Sequence, residues 1–399
     1  VTSDSAAPRA AGPLDLVRRL DLRIVVPVLV LVALGLWSIG AARAGFAASQ
    51  LRWCGVGLAA ACALVLVPYR RLLDVAWPLW GASILLLLAV LVLGERRNGA
   101  VRWLKIGDFG LQPSEFAKVA QVLVMARYIR FRRDHRTFKG LLVPFLLTLV
   151  PMALIFAEPD VGTAAMFVPV LFVMLWAAGA RTKHLLAVVA LGVAGLPVLY
   201  FSLPPDHYQR QRVDAFVAGI VGGARHRAVR RGGAADGRGE ATRAPAKTPD
   251  TFQRDEAVAA VAYGGFAGHS ATDESPAQYG RVPEAWTDFV FVVHAEEWGF
   301  VGVLLLLSVW AALLGALALI ASELKEPAAR LVAVGALVLL GTQAVVNMAM
   351  TMGAFPVTGV PLPFVSYGGS SMLASWLLVA LVLNAKARQP VVFSVGDFD

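Results

Sequence analysis

The sequence predicts an all-α polytopic membrane protein of about ten transmembrane helices, with a large extracytoplasmic loop between helices 7 and 8. Three observations carry that expectation. The 399 residues are 58% hydrophobic and only 16% charged, where soluble domains run at roughly 45–50% apolar and about 25% charged. The mean hydropathy is +0.66. Apolar runs long enough to cross a bilayer recur along the chain, and Lys and Arg gather in alternate connections. Two cysteines, Cys54 and Cys62, both inside one apolar run, exclude a secreted disulfide scaffold. The net charge of +9 lies largely in short segments between apolar stretches. That distribution argues against a disordered chain and against a nucleic-acid partner.

A span needs roughly 20 apolar residues, because each residue of a helix adds about 1.5 Å. Runs near 23–42, 51–68, 74–94, 115–131, 140–157 and 162–179 qualify, followed by 184–203, 289–322, 330–351 and 371–385. The fourth is the least apolar and carries Glu115, Lys118 and Gln121. The eighth is long, and its first turns hold His294, Glu296 and Glu297. Those turns belong in protein or beside a water-filled cavity. As metal ligands the three lack the second His motif of a structural zinc site.

Orientation follows from the short loops that hold Lys and Arg. Arg18, Arg19 and Arg23, Arg70 and Arg71, and Arg130 to Lys139 fall on one side of ten spans. Arg181 and Lys183, Lys325 and Arg330, and Lys386 and Arg388 fall on the same side. That side is cytoplasmic, and it holds both termini, 1–22 and 389–399. The start is polar and lacks the short apolar stretch of a signal peptide. The other side receives 43–50, 95–114, Glu158-Pro159-Asp160, the long loop 204–288 and 352–370. Within the long loop, 221–250 is a Gly, Ala, Arg and Pro mixture that cannot bury enough surface to order itself, so it reads as a disordered insert. Its arginines do not disturb the topology, since long loops translocate largely regardless of charge. No internal repeat is visible, which weakens an inverted-repeat transporter.

Several residues suit chemistry, each beside a plainer role. Asp288 stands where the long loop re-enters an apolar helix, in Trp286-Thr287-Asp288-Phe289. It suits an N-cap. Beside Trp and Phe at the membrane boundary it also suits a desolvated carboxylate with a raised pKa and good basicity. Glu115 and Lys118 lie one helical turn apart. On a soluble helix the pair means little, but ionisable groups inside a span are expensive and functional by default. Arg210 and Arg212 follow the seventh span, either as anchors of a helix end or as forks for a diphosphate. Asp160 reads most simply as the N-cap of span six. The last outer loop, Phe355 to Ser371, holds three prolines among its glycines and must pack on protein or line a cavity. Ser370 and Ser371 open the tenth span, where backbone N–H groups suit an anion.

Four separated blocks carry a resemblance. They are Arg102-Trp103 with Gln112-Pro113-Ser114-Glu115-Phe116-Ala117-Lys118; Glu158-Pro159-Asp160-Val161-Gly162-Thr163; Thr287-Asp288-Phe289 with Ala295-Glu296-Glu297-Trp298-Gly299-Phe300; and Pro361-Leu362-Pro363 through Ser371. In this order they resemble the SEDS family (shape, elongation, division and sporulation), typified by RodA and FtsW, over residues 23–388. The Pro-Val-Thr-Gly-Val-Pro-Leu-Pro wording leans toward the elongation branch. One departure is the late Gly-rich segment, Tyr263 to Gly268, which follows the basic insert.

The resemblance implies a peptidoglycan glycosyltransferase that polymerises lipid II on the outer face of the bacterial cytoplasmic membrane. Implied partners are a class B penicillin-binding protein and other elongation or division proteins. Asp288 matches the family's essential loop aspartate, Glu115 and Lys118 its polar pair, and Asp160 its acidic residue after span five. Asp288 is then the expected base. Arg102, Lys118, Arg210 and Arg212 are expected at the diphosphate, with Mg²⁺ or Mn²⁺ sharing that task. A lipid II flippase without chemistry is the alternative, and a scaffold for the wall-building complex a further one.

Overall fold

The computed structural model describes residues 18–97, 100–106, 109–130, 132, 134–202, 204, 210, 249–269 and 282–389. It is predominantly helical. The first span, α1 (Leu22–Ala42), is capped by Asp21, whose side chain accepts from the Arg23 backbone N–H. It is followed by α2 (Ala44–Leu66), the short α3 (Tyr69–Asp74) and α4 (Ala76–Leu93). After the connection 94–112 come α5 (Pro113–Ile129), α6 (Leu142–Ala157), α7 (Val161–Ala177) and α8 (Thr182–Ser202). The last part holds α9 (Pro249–Tyr263), α10 (Val290–Glu323), α11 (Pro327–Thr351) and α12 (Gly369–Ala387).

Among the described residues, eight helices have the length and hydropathy to cross a membrane, and α7 is a shorter apolar helix. The remaining expected span, α5, has 17 residues. Its deviation has a physical cause. All but two of its residues are buried, so α5 lies inside the bundle and its surroundings are side chains. A helix so placed tolerates Glu115, Lys118 and Gln121, which a lipid-facing helix would not. The closest packing pairs α12 with α2 and α10 with α1, while α11 lies against α7, α10 and α5. By contrast α8 stays at the periphery, with most of its described side chains exposed.

The connection 95–111 departs from an all-α expectation. It forms a three-stranded antiparallel sheet of β1 (Glu95–Arg97), β2 (Ala100–Ile106) and β3 (Phe109–Leu111), with β2 central. Trp103 pairs with Glu95, and Leu104 with Leu111. The sheet runs directly into α5, whose Pro113 takes the first helical position, where a missing N–H loses nothing.

The expected disordered insert 221–250 lies outside the described residues, apart from its last two. Those two open α9, a helix absent from the expectation. Ala257 and Ala260 of α9 bury against Val282, Ala285, Phe289, Val292 and Val293. The Gly-rich segment after α9 then enters a break in α10. Gly299 adopts φ 62° and ψ −159°, splitting the helix. Phe300 N–H donates to Gly265 O at 2.9 Å, Val301 N–H to Phe266 O at 3.2 Å, and His269 N–H to Glu296 O at 3.1 Å. The backbone groups freed by the break are therefore satisfied by a second chain segment. A Cβ at Gly264, Gly268 or Gly299 would strike backbone across this junction.

At the far end of the bundle the basic loops converge on acids. Arg23 meets Glu323 at 2.9 Å and Arg130 meets Glu326 at 2.7 Å, while Lys386 also pairs with Glu323. Asn384 and Arg388 donate to the carbonyls of residues 64–67, closing the C-terminus of α2. The Lys and Arg of separate short loops thus share one end, opposite the sheet and the last loop.

Candidate functional site

The last loop, residues 355–368, is built into the protein. Val360, Leu362, Phe364, Val365 and Ser366 are buried. Ser366 Oγ accepts from Leu362 N–H at 2.8 Å, and Gln50 donates to Ser366 O at 3.0 Å. Close approach is possible because glycines face it. A Cβ on Gly35 would come within 2.6 Å of Val365, and one on Gly162 would collide with Thr358 O.

Asp288 stands beside this loop. The turn 282–289 precedes α10, and Phe289 occupies the N-cap. Asp288 therefore lies one residue ahead of the cap position that the sequence offered it. The turn is fixed by Tyr367 N–H donating to Trp286 O at 2.9 Å and by Arg43 over the Trp286 ring at 5.3 Å. Asp288 is half-buried. A Cβ at Gly359 (φ 69°) would lie 3.4 Å from Asp288 Oδ2, so the carboxylate faces a stretch of loop without a side chain. Asn347 donates through Nδ2 to both Asp288 O and Val360 O, each at 2.8 Å.

On the other side of Thr358-Gly359 lies the start of α7. Asp160 is its N-cap, accepting from Thr163 N–H at 3.1 Å. The same carboxylate lies 3.7 Å from Arg102 Nε and 3.5 Å from Gln112 Nε2. Arg102 also donates to Pro159 O. Gln112 N–H donates to Ser370 Oγ at 3.0 Å, and Ser370 Oγ to Gly110 O at 3.5 Å. One polar chain therefore joins Arg102, Asp160, Gln112 and Ser370, linking the sheet, α7 and α12. Ser371 is buried, and its carbonyl accepts from Ser375. Of the N–H groups offered to an anion at this helix start, that of Gly368 is donated to Gln50 Oε1 at 3.2 Å.

Glu158 belongs to this cluster although the sequence singled it out only as part of a motif. It is fully buried, and both its carboxyl oxygens are without a hydrogen-bond partner among the described residues. Burial, reinforced by the Asp160 charge and opposed by Arg102, pushes its carboxyl up to about 8. The group is a neutral acid in neutral solution. Asn347 was likewise passed over, as a lone amide in an apolar run.

Glu115 and Lys118 form a buried pair at 2.7 Å. Lys118 and Gln121 face a narrow crevice lined by Met166, Phe167, Val170 and Leu339, and Gln121 donates to Thr148 at 2.7 Å. Arg210 lies by the end of α8, its guanidinium 4.8 Å from the Tyr200 ring centre. Arg212 falls outside the described residues. His294 is engaged by Ser38 and by Gly302 O, and among the described residues no three His, Cys, Asp or Glu cluster to hold a metal.

The profile of the cell cycle protein family that unites FtsW, RodA and SpoVE matches residues 16–390. A probable peptidoglycan glycosyltransferase FtsW from Trichlorobacter lovleyi is 30% identical, over 92% of this chain and 93% of its own length. The peptidoglycan glycosyltransferase MrdB of Escherichia coli K12 is 31% identical, over 93% and 94%. Among solved structures, a chain of a peptidoglycan synthase complex that coordinates polymerization and crosslinking superposes with a TM-score of 0.76 at 32% identity, over 93% of this chain and 99% of the other. The rod shape determining protein RodA of Thermus thermophilus superposes with a TM-score of 0.65 at 31% identity, over 93% and 98%.

Proposed function

The chain belongs to the FtsW, RodA and SpoVE family of cell cycle proteins, and from that premise we propose that it is a peptidoglycan glycosyltransferase polymerising lipid II. The reaction takes place at the outer face of the cytoplasmic membrane, with both termini inside. The family and its glycosyltransferase relatives support the activity. The observation that carries the assignment of the centre is the half-buried Asp288 carboxylate facing Gly359.

The step is one displacement with inversion. The 4-hydroxyl oxygen of the acceptor sugar bonds to the anomeric carbon of the donor, and the bond from that carbon to the diphosphate oxygen breaks. The hydroxyl proton passes to Asp288, and the bond electrons leave with the diphosphate. Gly359, at positive φ and without a side chain, leaves that flank of the carboxylate uncovered by any side chain of its own. Arg102 and Lys118 are held in place by Asp160 and Glu115. Each keeps its position before substrate arrives, which is the condition for stabilising developing negative charge. Arg210 and Arg212 complete the set of cations for the diphosphate.

A divalent cation, Mg²⁺ or Mn²⁺, fits this donor set through a single carboxylate. Mg²⁺ sites of one or two carboxylates complete their coordination with substrate phosphates and water. In a metal-assisted form of the step Asp288 would hold the ion in place of taking the proton, and the ion would supply charge neutralisation for the departing diphosphate. The partner we propose is a class B penicillin-binding protein of the elongation or division machinery, which would crosslink the strands made here. A solved complex coordinating polymerization and crosslinking supports that pairing.

The deciding experiment incubates the purified full chain with lipid II and follows polymer by gel, with Asp288→Asn as control. Polymer from the wild type alone is the expected result. Movement of lipid II across vesicles without polymer would replace the enzyme by the flippase.

A further inference from the structure

We infer that Asn347 is a positioning residue for the reaction, setting the distance between the Asp288 carboxylate and the loop that faces it; the inference rests on the glycosyltransferase reading above. Asn347 lies on α11 and is fully buried. Its amide nitrogen bonds the backbone of Asp288 and not the carboxylate. Its two amino hydrogens go to Asp288 O and Val360 O, both at 2.8 Å. Since both partners are carbonyls, only the nitrogen of the amide can face them, which fixes its orientation.

The consequence is geometric. Asp288 belongs to the turn before α10, and Val360 follows Gly359 in the last loop. These two segments are separate in sequence and meet where the Asp288 carboxylate stands over Gly359. A single side chain ties the carbonyl of one to the carbonyl beside the other. Its own Oδ1 finds no partner among the described residues. An apolar residue would avoid that orphaned oxygen but would take the donor from one buried and one half-buried carbonyl. The amide is thus placed to serve the two backbones, and its own acceptor is sacrificed. Few side chains offer two donors in so short a reach: Ser supplies one, Leu and Asp none.

Release of this tie lets the turn and the loop separate while leaving the rest of the centre in place. Displacement of a reacting group by about 1 Å lowers rates by about 10²-fold. Substrate affinity is set elsewhere, so the loss belongs in kcat. The test uses the full chain in detergent or bilayer, with lipid II titrated, in wild type, Asn347→Leu and Asn347→Ser. Folded material is quantified for each by size exclusion and thermal unfolding, so that rates refer to folded protein.

The expected result is a kcat lowered by about 10²-fold in both Asn347→Leu and Asn347→Ser, and a KM that stays near the wild-type value in both. Should Asn347→Leu not accumulate, Asn347→Ser decides alone, because it fits the site without overpacking and its hydroxyl, one bond short of the Asn nitrogen, releases both carbonyls. Wild-type kcat in either folded variant would overturn the inference. So would a loss confined to KM, or a loss that follows only the amount of folded protein. If neither variant folds, the amide is structural and the positioning role falls. Lack of polymer from the wild type is a separate result: it removes the glycosyltransferase reading, and this inference with it.

Discussion

Asp288 Oδ2 and the bare Cα of Gly359 face one another, at a spacing where an added Cβ would sit 3.4 Å from the oxygen. This contact gives the first prediction. Asp288→Asn keeps the size and the turn but cannot accept a proton, so polymerisation should fall by about 10²–10⁴-fold in protein that folds normally. The assay repeated across Mg²⁺ and Mn²⁺ concentrations separates base from ligand, since recovery at high metal assigns the carboxylate to the ion. A rate near that of the wild type without added metal rejects both roles.

The Glu158 carboxyl gives a pH-dependent prediction. Held up to about 8 in the folded chain against an ordinary value of 4.5, it ionises first in the unfolded chain. Its contribution to stability is complete below about 4.5 and is lost as pH rises toward 8. Glu158→Gln is neutral throughout and escapes that loss. The melting temperature of Glu158→Gln should exceed that of the wild type by a margin that grows between pH 5 and pH 8, then levels. An equal margin at both ends would show that the group is ionised throughout.

The Glu115–Lys118 pair gives a third. Lys118→Met leaves a carboxylate buried without its partner, which costs about 3–5 kcal/mol. Glu115→Gln combined with Lys118→Met removes both charges and should recover most of that stability, measured by thermal unfolding in detergent. Polymerisation should stay low in the double variant if the lysine also serves the diphosphate.

At Gly162 two effects oppose. Ala is the better helix former by about 1 kcal/mol, but its Cβ would meet the Thr358 carbonyl, which is backbone and cannot swing away. Overpacking costs about 1–3 kcal/mol, so the clash wins. Gly162→Ala should lower both the melting temperature and the turnover, because Thr358 adjoins Gly359.

Topology is open to direct labelling. Cysteine at His269 should react with an impermeant reagent on intact cells, and cysteine at Thr137 only after the membrane is opened. The Lys and Arg asymmetry demands opposite sides. Reaction of both from outside would overturn the orientation.

Spans were legible because twenty apolar residues leave a plain signature. The run 23–42 became Leu22–Ala42, and 74–94 became Ala76–Leu93. The second helix starts earlier than its apolar run because Ser49, Gln50 and Arg52 interrupt hydropathy without interrupting the helix. The sheet at 95–111 was hidden, since its strands are short and begin with Glu95, Arg96 and Arg97. The broken α10 was hidden too. Its apolar run is continuous, and only the partner segment at Gly264 to Gly268 reveals why Gly299 departs from it. Asp160 could be read as a cap from its place before Val161-Gly162-Thr163, and the structure shows that cap. Glu158 and Asn347 could not be read, because their roles depend on what three separate elements place around them.

The stitch at Gly299 also governs how the chain can change in length. Backbone hydrogen bonds fasten residues 265–269 to α10 before the chain reaches the turn that carries Asp288. A pull or an added length between Ser202 and Pro249 is therefore borne by that fastening, not by the turn. Lengthening a loop is inexpensive, about 0.6 kcal/mol per doubling. Sequence added within the insert, past Arg210 and Arg212, should accordingly leave the registry of Asp288 against Gly359 unchanged.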